Sequence, residues 1–286
     1  LRTLHESEVA DAAVDGFSEL NKVTGSIVES GRAPRSDLLR VEAELAGAQV
    51  KQVQARNLHQ IAVASFYALL NLPGESHHEW VEPDLAVMDV NDSLPDLIDG
   101  AMAQRPEIQI ARLAIEGGEA GVRAERAESL PHLSVAGNYS WLDSPVFQED
   151  TSWSISANLS WTLFDAGMNS AQVREKEQAV IGSRAGFEQA RRAVELEVRR
   201  AYLDLKSRVA AVDAAKKHKE SADEGLRISR IRYQTGYGIQ MELLDAQASS
   251  VRANAAYFQT VYDNLTAAAA LRKALGIPLD DAELRK

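Results

Sequence analysis

The sequence has no cysteine among its 286 residues, which excludes disulfides, cysteine-based zinc sites and thiol nucleophiles. It also has no run of about 18 consecutive apolar residues, the length that a membrane-spanning helix needs. Basic residues are the minority, 31 against 42 acidic ones, so the net charge is −11. Because phosphate binding needs a basic surface, this charge argues against a nucleic-acid partner. The 45% share of hydrophobic residues is ordinary for an ordered protein.

An internal repeat relates the two ends of the chain. Residues 8–73 align with residues 213–278 without a gap, at a constant offset of 205 positions. The most informative matches are a glycine, two leucines and a proline: Gly31 with Gly236, Leu38 and Leu39 with Leu243 and Leu244, and Pro73 with Pro278. The second unit begins near Leu94, so a complete first unit needs roughly 110 residues ahead of Leu1. We therefore expect the chain to be an N-terminally truncated protomer.

The repeat, together with turn and helix-breaking signals, divides the chain into segments. We expect residues 1–73 to be the C-terminal part of a first repeat with a helix-turn-helix tip, 74–93 a connector, 94–278 a second repeat and 279–286 a tail. Within the second repeat, the pattern predicts helices over 94–129 with a break at Arg105-Pro106, a β-hairpin over 132–163, a long helix over 168–231, a tip turn over 232–239 and a helix over 240–275. The predicted fold class is mainly α with one β-hairpin.

The long predicted helix has no proline and would extend roughly 96 Å at 1.5 Å per residue. Apolar residues recur along it at intervals of seven: Val173, Val180, Phe187 and Val194, and then Val198, Leu205 and Val212. This spacing predicts a left-handed, antiparallel coiled-coil seam. Alanine at many remaining positions permits close approach on more than one side. Both a two-stranded coiled coil and a cylinder wall, in which each helix has two neighbours, fit the pattern.

The predicted hairpin alternates between apolar and polar residues with a period of two. One face carries Leu133, Val135, Tyr139, Trp141, Trp153, Ile155, Ala157, Leu159, Trp161 and Leu163, and the other carries Ser134, Asn138, Ser140, Ser152, Ser154, Ser156, Asn158, Ser160 and Thr162. Strands of about ten residues are long enough to cross a bilayer at a tilt. The aromatics Tyr139, Trp141, Trp153 and Trp161 predict a membrane girdle, the polar face a water-filled lumen, and the acidic segment 143–150 an exterior loop.

A soluble hairpin with one face on a core is the alternative. Two strands cannot close a barrel, and open strand edges cost several kcal/mol per unpaired group in lipid. A membrane hairpin would therefore have to be completed by further strands.

Several runs resemble the outer membrane efflux protein family, the TolC-like channels. They are Arg105-Pro106-Glu107, residues 124–133, residues 163–167, residues 232–236 and residues 242–246. The resemblance covers essentially the whole chain and lacks the family's N-terminal helix and first hairpin. It implies a homotrimer whose strands form one transmembrane β-barrel of about twelve strands in the cell outer membrane, in contact with lipid, above an α-helical barrel in the periplasm.

The resemblance also implies a function and partners. The family forms passive ducts of tripartite efflux or type I secretion systems, with a periplasmic adaptor (membrane fusion) protein and an inner-membrane transporter. By motif, the adaptor-contacting tips correspond to Ser30, Gly31 and Arg32 and to Thr235, Gly236 and Tyr237, and the channel aperture to Asp37, Tyr233, Glu242 and Asp245. At Gly238 the chain departs from relatives that carry an arginine of a closing ion pair, for which Arg32 or Arg35 would substitute. Whether drugs, metals or proteins are exported stays open.

Other patterns predict no chemistry. His77, His78 and Glu79 lie in the connector without the i, i+4 spacing of helical metal ligands, so we expect a surface loop there. No nucleophile elbow or triad motif occurs, and we expect neither an enzyme nor a cofactor nor a metal site. Glu242 and Asp245 would share one helix face. Two acidic residues on one face are equally typical of a solvent-exposed helix surface, which is the alternative to an aperture role. From the residues alone, a soluble periplasmic coiled-coil scaffold remains the competing function.

Overall fold

A computed structural model describes residues 1–72, 87–90, 92–142 and 150–277. Its elements are α1 (Arg2–Glu29), α2 (Arg35–Leu69), α3 (Leu94–Gln104), α4 (Pro106–Ala127), β1 (His132–Leu142), β2 (Asp150–Ser160), α5 (Met168–Gln234) and α6 (Gln240–Leu275). The predicted fold class, mainly α with one β-hairpin, is confirmed. The predicted loop at His77, His78 and Glu79, most of the connector, residues 143–149 of the acidic segment and the tail lie outside the described residues.

No helix within the described ranges combines the length and the apolar character needed to cross a membrane.

Three element bounds differ from those predicted. Helix α4 ends at Ala127 rather than at 129; the break before it lies at Arg105-Pro106 as expected, because Pro106 stands at the start of α4 and Arg105 is extended, with ψ 128°. The long helix continues three residues past 231 to Gln234, since its left-handed stop comes only at Gly236, with φ +83°. Strand β2 ends at Ser160 rather than at 163, because Ser160 pairs with His132, the first residue of β1.

The chain forms two compact units, and the first comprises residues 1–94 and 199–286. In this unit α1 packs against both α2 and α6. Its apolar core near the two helix turns consists of Phe17, Leu20, Val41, Ala48, Tyr233, Leu243 and Leu244. We call these seven residues the tip cluster. Gly16 allows close packing here, because a Cβ atom at this position would lie 2.6 Å from Nε2 of Gln247.

The second unit comprises residues 95–198 and contains the hairpin. Here α4 runs antiparallel to the first part of α5, as three ion pairs at successive positions demonstrate: Arg105 with Glu197 at 2.5 Å, Arg184 with Glu119 at 2.8 Å, and Arg126 with Glu177 at 2.6 Å. Gly118 lies against Val180, where a Cβ atom would come within 3.1 Å of the valine Cγ2.

The predicted coiled-coil seam of α5 is the buried face of that helix. Five of its seven members are buried and two are half-buried; the buried ones are Val180, Val194, Val198, Leu205 and Val212. The half-buried ones are Val173 and Phe187. Valine and leucine at this spacing therefore contribute most of the apolar contact of the helix, while the intervening positions remain largely exposed.

Candidate functional site

The hairpin has the register that separates apolar from polar side chains. Leu133 lies opposite Leu159, Val135 opposite Ala157, Gly137 opposite Ile155, Tyr139 opposite Trp153 and Trp141 opposite Thr151. Directly opposed residues of an antiparallel pair point to the same side, so these positions form one face. The other face pairs Ser134 with Asn158, Ala136 with Ser156, Asn138 with Ser154 and Ser140 with Ser152. The hydroxyls of Ser140 and Ser152 hydrogen-bond at 2.7 Å.

Both faces of the hairpin are exposed. The large apolar side chains of the strands have 60–74% of their surface accessible, with Trp153 at the upper end of this range and Trp141 at the lower. The hairpin does not fold back onto the described helices, as a soluble hairpin covering a core would. A sheet with one apolar and one polar face, neither of them covered, suits a wall between lipid and water.

The four predicted girdle residues lie at two levels. Tyr139, Trp141 and Trp153 are close together at the end of the hairpin next to residues 143–149. Trp161 lies just past the opposite end of β2, and its indole Nε1 donates to the carbonyl oxygen of Ser129 at 3.1 Å. An aromatic ring with its polar atom satisfied is the arrangement typical of membrane interfaces.

A built turn joins β2 to α5. The Asp165 carboxylate accepts hydrogen bonds from the backbone N–H groups of Gly167 at 2.9 Å and Asn169 at 2.8 Å. The bonds from Asn169 and Gly167 lower the pKa of Asp165 below its ordinary value. Ala166 and Gly167 both have positive φ, 53° and 85°, the left-handed conformation that glycine adopts without strain.

The two tip turns have the same geometry. Gly31 N–H donates to the Val28 carbonyl at 2.9 Å and Arg32 N–H to the Ile27 carbonyl at 3.0 Å. At the second turn Gly236 N–H donates to Tyr233 at 3.1 Å and Tyr237 N–H to Arg232 at 2.9 Å, which is the same Schellman pattern. Gly31 and Gly236 need glycine for conformation and not for space, since φ is +74° and +83° and nothing lies within 4 Å of a Cβ atom at either.

The helix bounds around these turns are also 205 residues apart. Helix α1 ends at Glu29 and α5 at Gln234, while α2 begins at Arg35 and α6 at Gln240. The residues that cap the starts of α2 and α6, Pro34 and Ile239, are both extended, with ψ 152° and 150°. This agreement supports the proposal that the two helix-turn-helix segments are equivalent halves of a repeat.

The predicted aperture residues fall into a buried and an exposed group. Tyr233 belongs to the tip cluster and is 9% exposed, and no partner for its buried hydroxyl is found among the described residues. Asp37 is half-buried in the first turn of α2, and its backbone oxygen accepts a hydrogen bond from the Gln240 side-chain amide at 2.7 Å. This bond joins the starts of α2 and α6 across the two turns.

Glu242 and Asp245 are the exposed group, and both lie on α6. Glu242 faces Arg232 across the turn, with 3.4 Å between Oε2 and Nη1, and the other terminal nitrogen of Arg232 donates to the Tyr237 carbonyl at 3.4 Å. A side chain at Gly238 would be crowded by its own turn, because a Cβ atom would come within 3.0 Å of the Tyr233 backbone nitrogen. Glu242 is thus paired with an arginine of its own turn, Arg232.

Sequence reasoning missed a polar network between α5 and α6. Asp223 accepts hydrogen bonds from Ser250 at 2.6 Å, Asn254 at 2.9 Å and Lys219 at 3.0 Å. Burial raises the pKa of Asp223, but the three hydrogen bonds together lower it by more than burial raises it. The net pKa of Asp223 is therefore below its ordinary value. No motif predicted this network, because Ser250 and Asn254 lie 27 and 31 positions from Asp223 and meet it only when the helices pack.

Comparison with known proteins assigns the class. The model of the outer membrane efflux protein family matches residues 97–277. Among curated proteins, the alkaline protease secretion protein AprF of Pseudomonas aeruginosa is 26% identical over 97% of this chain and 59% of its own length, and outer membrane protein OprJ of the same species is 26% identical over 80% and 49%. Among solved structures, the outer-membrane channel OprN superposes with a TM-score of 0.79 at 22% identity over 97% of this chain and 63% of that chain, which shows a shared fold.

The chain belongs to the outer membrane efflux protein family. The predicted family and the predicted location, the cell outer membrane with the helices in the periplasm, are thereby confirmed. The members of this family are channels. The chain spans about half to three-fifths of the length of the curated relatives it matches.

Proposed function

We propose that the protein is a passive exit duct of a tripartite efflux or type I secretion system, open from the periplasm to the exterior. The observation that carries this proposal is the hairpin, whose aromatic-bordered apolar face and Ser/Asn/Thr face are both uncovered. A soluble coiled-coil scaffold would need its apolar hairpin face covered, and the described residues leave that face open. Family membership adds weight to the same conclusion.

The assembly we propose is a homotrimer. Two strands leave two open edges, which lipid does not tolerate, so additional strands must pair with them. Four strands from each of three protomers would close a barrel of about twelve strands. The polar faces would then line the lumen, and the apolar faces would contact outer-membrane lipid.

We further propose that Asp37, Tyr233, Glu242 and Asp245 form the aperture. Three copies of the exposed carboxylates Glu242 and Asp245 would ring the opening and favour cations over anions. The ion pair of Glu242 with Arg232 offsets part of this charge, so Asp245 carries most of the net negative potential. The buried Tyr233 and the bond from Gln240 to Asp37 would hold the two turns together.

The adaptor is proposed to bind the tips, namely Ser30, Gly31 and Arg32 with Thr235, Gly236 and Tyr237. Tyr237 is 84% exposed and the surroundings of both glycines are empty, so these turns offer an accessible surface. An adaptor that binds the open arrangement more tightly than the closed one would shift the population toward opening. An inner-membrane transporter would supply the substrate.

Conductance across a planar lipid bilayer tests the duct. We expect the trimer of the intact protein to insert and to pass cations in preference to anions, and Glu242→Gln with Asp245→Asn to abolish the preference. A protein that neither fractionates with outer membrane nor conducts would reject the duct and favour the scaffold. Conduction whose cation preference survives both substitutions would reject only the aperture, and would leave these acids as a solvated helix face.

Arginine substitutions sharpen the same measurement. Arg232→Ala removes the positive charge next to Glu242, so the cation-to-anion permeability ratio is expected to rise about threefold at low salt. Arg230→Ala is the matched control, since Arg230 also pairs with a glutamate at 3.4 Å, Glu19, on a different helix. An equal rise in both variants would contradict the pairing of Arg232 with Glu242 as the cause.

A further inference from the structure

The region of the two tip turns contains buried polar atoms that the proposed aperture leaves unexplained. Asn21, Thr24, Tyr233 and Gln240 each have a buried side-chain oxygen for which no partner is found among the described residues. Thr24 is fully buried, and Gln240 and Tyr233 are 4% and 9% exposed. A buried oxygen without a hydrogen bond is unfavourable, because it has given up its bonds to water. In native folds such atoms commonly bond an ordered water molecule.

One of these four side chains, Tyr233, lines a small pocket between α1, α5 and α6. The walls of the pocket are apolar at Leu20 and Val23 of α1 and at Leu243 of α6, and polar at Tyr233 and at Gln247 of α6. Leu20, Leu243 and Gln247 are buried, like Tyr233 itself. The pocket therefore brings a buried hydroxyl and a buried amide together inside an apolar surround.

The size and the lining of this pocket both fit one water molecule. Its volume is ≈ 20 Å³. A polar cavity needs about 10 to 15 Å³, the space of one water-sized sphere, and at least two polar partners to hold a water molecule. The Tyr233 hydroxyl can donate and accept a hydrogen bond, and the Gln247 amide has both a donor and an acceptor atom. An organic ligand would be too large for the same space.

The packing of α1 on α6 makes room for the Gln247 amide. A Cβ atom at Gly16 of α1 would lie 2.6 Å from Nε2 and 3.3 Å from Oε1 of Gln247, so any side chain there would displace the amide. The remaining lining residues include Glu19 and Arg230, an exposed ion pair 3.4 Å apart. Solvent can therefore reach the pocket past this pair, while its inner wall is formed by buried side chains.

We propose that this pocket binds one ordered water molecule, which bridges the Tyr233 hydroxyl to Gln247 and so joins α5 to α6 beside α1. The functional part of the inference rests on the proposed aperture, to which Tyr233 belongs. A direct contact between side chains is lost when helices move apart, whereas a bridging water exchanges with bulk water at little cost. The Tyr233 hydroxyl then stays hydrogen-bonded in the closed and the open arrangement, and opening leaves no buried polar group unsatisfied.

Removal of the hydroxyl tests the water bridge. Tyr233→Phe in the intact protein deletes one partner of the water, so the midpoint of thermal unfolding in detergent is expected to fall by about 2 °C or more. Thr24→Val is the matched control, because it deletes a buried hydroxyl that does not line the pocket, and its midpoint is expected to rise. A rise in Tyr233→Phe like that in Thr24→Val would overturn the proposal, since the hydroxyl would then have had no water to bond.

Filling the pocket gives a test that does not depend on the sign of one substitution. Val23→Ile adds a methyl group at the wall of the pocket, and Val14→Ile adds the same group to a valine that packs against the tip cluster elsewhere. Because Val23→Ile excludes the water, Tyr233→Phe should lose most of its effect on the unfolding midpoint in that background. In the Val14→Ile background the effect should be the same as in wild type. Equal effects in all three backgrounds would contradict a bridge through the pocket.

A crystal structure of the intact trimer tests occupancy without any substitution. We expect one solvent peak in the pocket, about 2.7 to 3.2 Å from Oη of Tyr233. A side chain of a neighbouring copy in the pocket is the other possible occupant, and it would overturn the proposal. An empty pocket at a resolution that shows other buried waters would overturn it as well.

Single-channel recordings in planar lipid bilayers test the functional part separately. Val23→Ile is expected to lower the open probability at least about threefold, because opening would now strand the Tyr233 hydroxyl, and Val14→Ile is expected to leave it unchanged. Equal open probabilities in both variants and wild type would show that the water has no part in opening. If wild type does not conduct, the proposed duct fails, whereas the unfolding and crystallographic results still decide whether the water site exists.

Discussion

The hairpin and the tip cluster are organised in opposite ways. Each hairpin residue is positioned by backbone pairing with the opposite strand, and the side chains on both faces of the hairpin are exposed. The tip cluster has no regular pairing, and its residues are positioned by side-chain contacts between α1, α2, α5 and α6. The comparison teaches that the two faces of a hairpin can be specified by alternation alone, whereas a helical tip needs contacts between residues far apart in the chain.

The largest expected effect tests the difference between the two hairpin faces, by placing a charge on each face in turn. Ile155→Lys puts an ammonium on the apolar face near the middle of β2, and we expect a loss of about 2 to 4 kcal/mol in folding free energy in lipid vesicles. Ser154→Lys puts the same charge on the polar face and should cost less than about 1 kcal/mol. Urea titration of vesicle-inserted protein measures both, and equal losses would mean that the two faces meet the same medium.

The tip cluster is tested with two leucines that the repeat makes equivalent. Leu244 is 6% exposed and Leu39, 205 positions earlier, is 55% exposed. Leu244→Ala is expected to lower the free energy of unfolding by about 2 kcal/mol or more through the cavity it leaves, and Leu39→Ala by less than about 1. Denaturant unfolding in detergent checks the difference. A comparable loss at Leu39 would show that assembly covers this position.

These two tests also mark what the sequence could predict. The faces of the hairpin follow from period-two alternation, a local property, so the assigned residues within the paired strands lie on their predicted faces in the register. The turns at Gly31 and Gly236 follow from the conformational freedom of glycine. The end of β2 could not be predicted from β2 itself, because it depends on His132, where β1 begins.

The partners of individual side chains could not be predicted from the sequence either, because they too depend on residues far away in the chain. Gln240 binds the Asp37 carbonyl, 203 positions away, and only the packed helices bring them together. The pair of Arg232 with Glu242 spans a turn whose shape had to be known first, whereas the family pattern pointed to Gly238, where a Cβ atom would be crowded. The resemblance suggested which residues matter, whereas packing decides what each of them contacts.

A buried hydroxyl in α1 allows the tip region to be stabilised. Thr24 is fully buried and no partner of its hydroxyl is found in the described residues. Thr24→Val keeps the shape and removes the unsatisfied polar group, so the free energy of unfolding is expected to rise by about 1 kcal/mol. Thr235→Val is the control, because that hydroxyl donates to the Ile231 carbonyl at 2.8 Å, and a loss or no change is expected there. Thermal unfolding of both variants measures the contrast.

The smallest expected effect is a pH dependence at the α5–α6 network. The folded-state pKa of Asp223 is below its unfolded value, so its contribution is fully present above about pH 4 and is lost as pH falls through the folded pKa. With 39% of the side chain exposed, the contribution stays below about 1 kcal/mol.

Asp223→Asn should therefore unfold at a lower temperature than wild type at pH 7, and this difference should shrink as pH falls through the folded pKa of Asp223. Asp213→Asn, which breaks an exposed pair with Lys217 on the same helix, is the control and should show a smaller difference at pH 7. A difference between Asp223→Asn and wild type that persists undiminished at low pH would contradict the assignment to the ionised carboxylate.

The open edges of the hairpin have a consequence for biogenesis. Within the described ranges, β1 and β2 pair only with each other, so each presents an outer row of backbone donors and acceptors. Before lipid and further strands are available, such edges are templates for aggregation, and an isolated two-stranded hairpin is marginal in water. Newly made chains would therefore expose these edges until further strands pair with them. Because both aggregation and assembly accelerate with concentration, the balance between the two would decide the yield of mature protein.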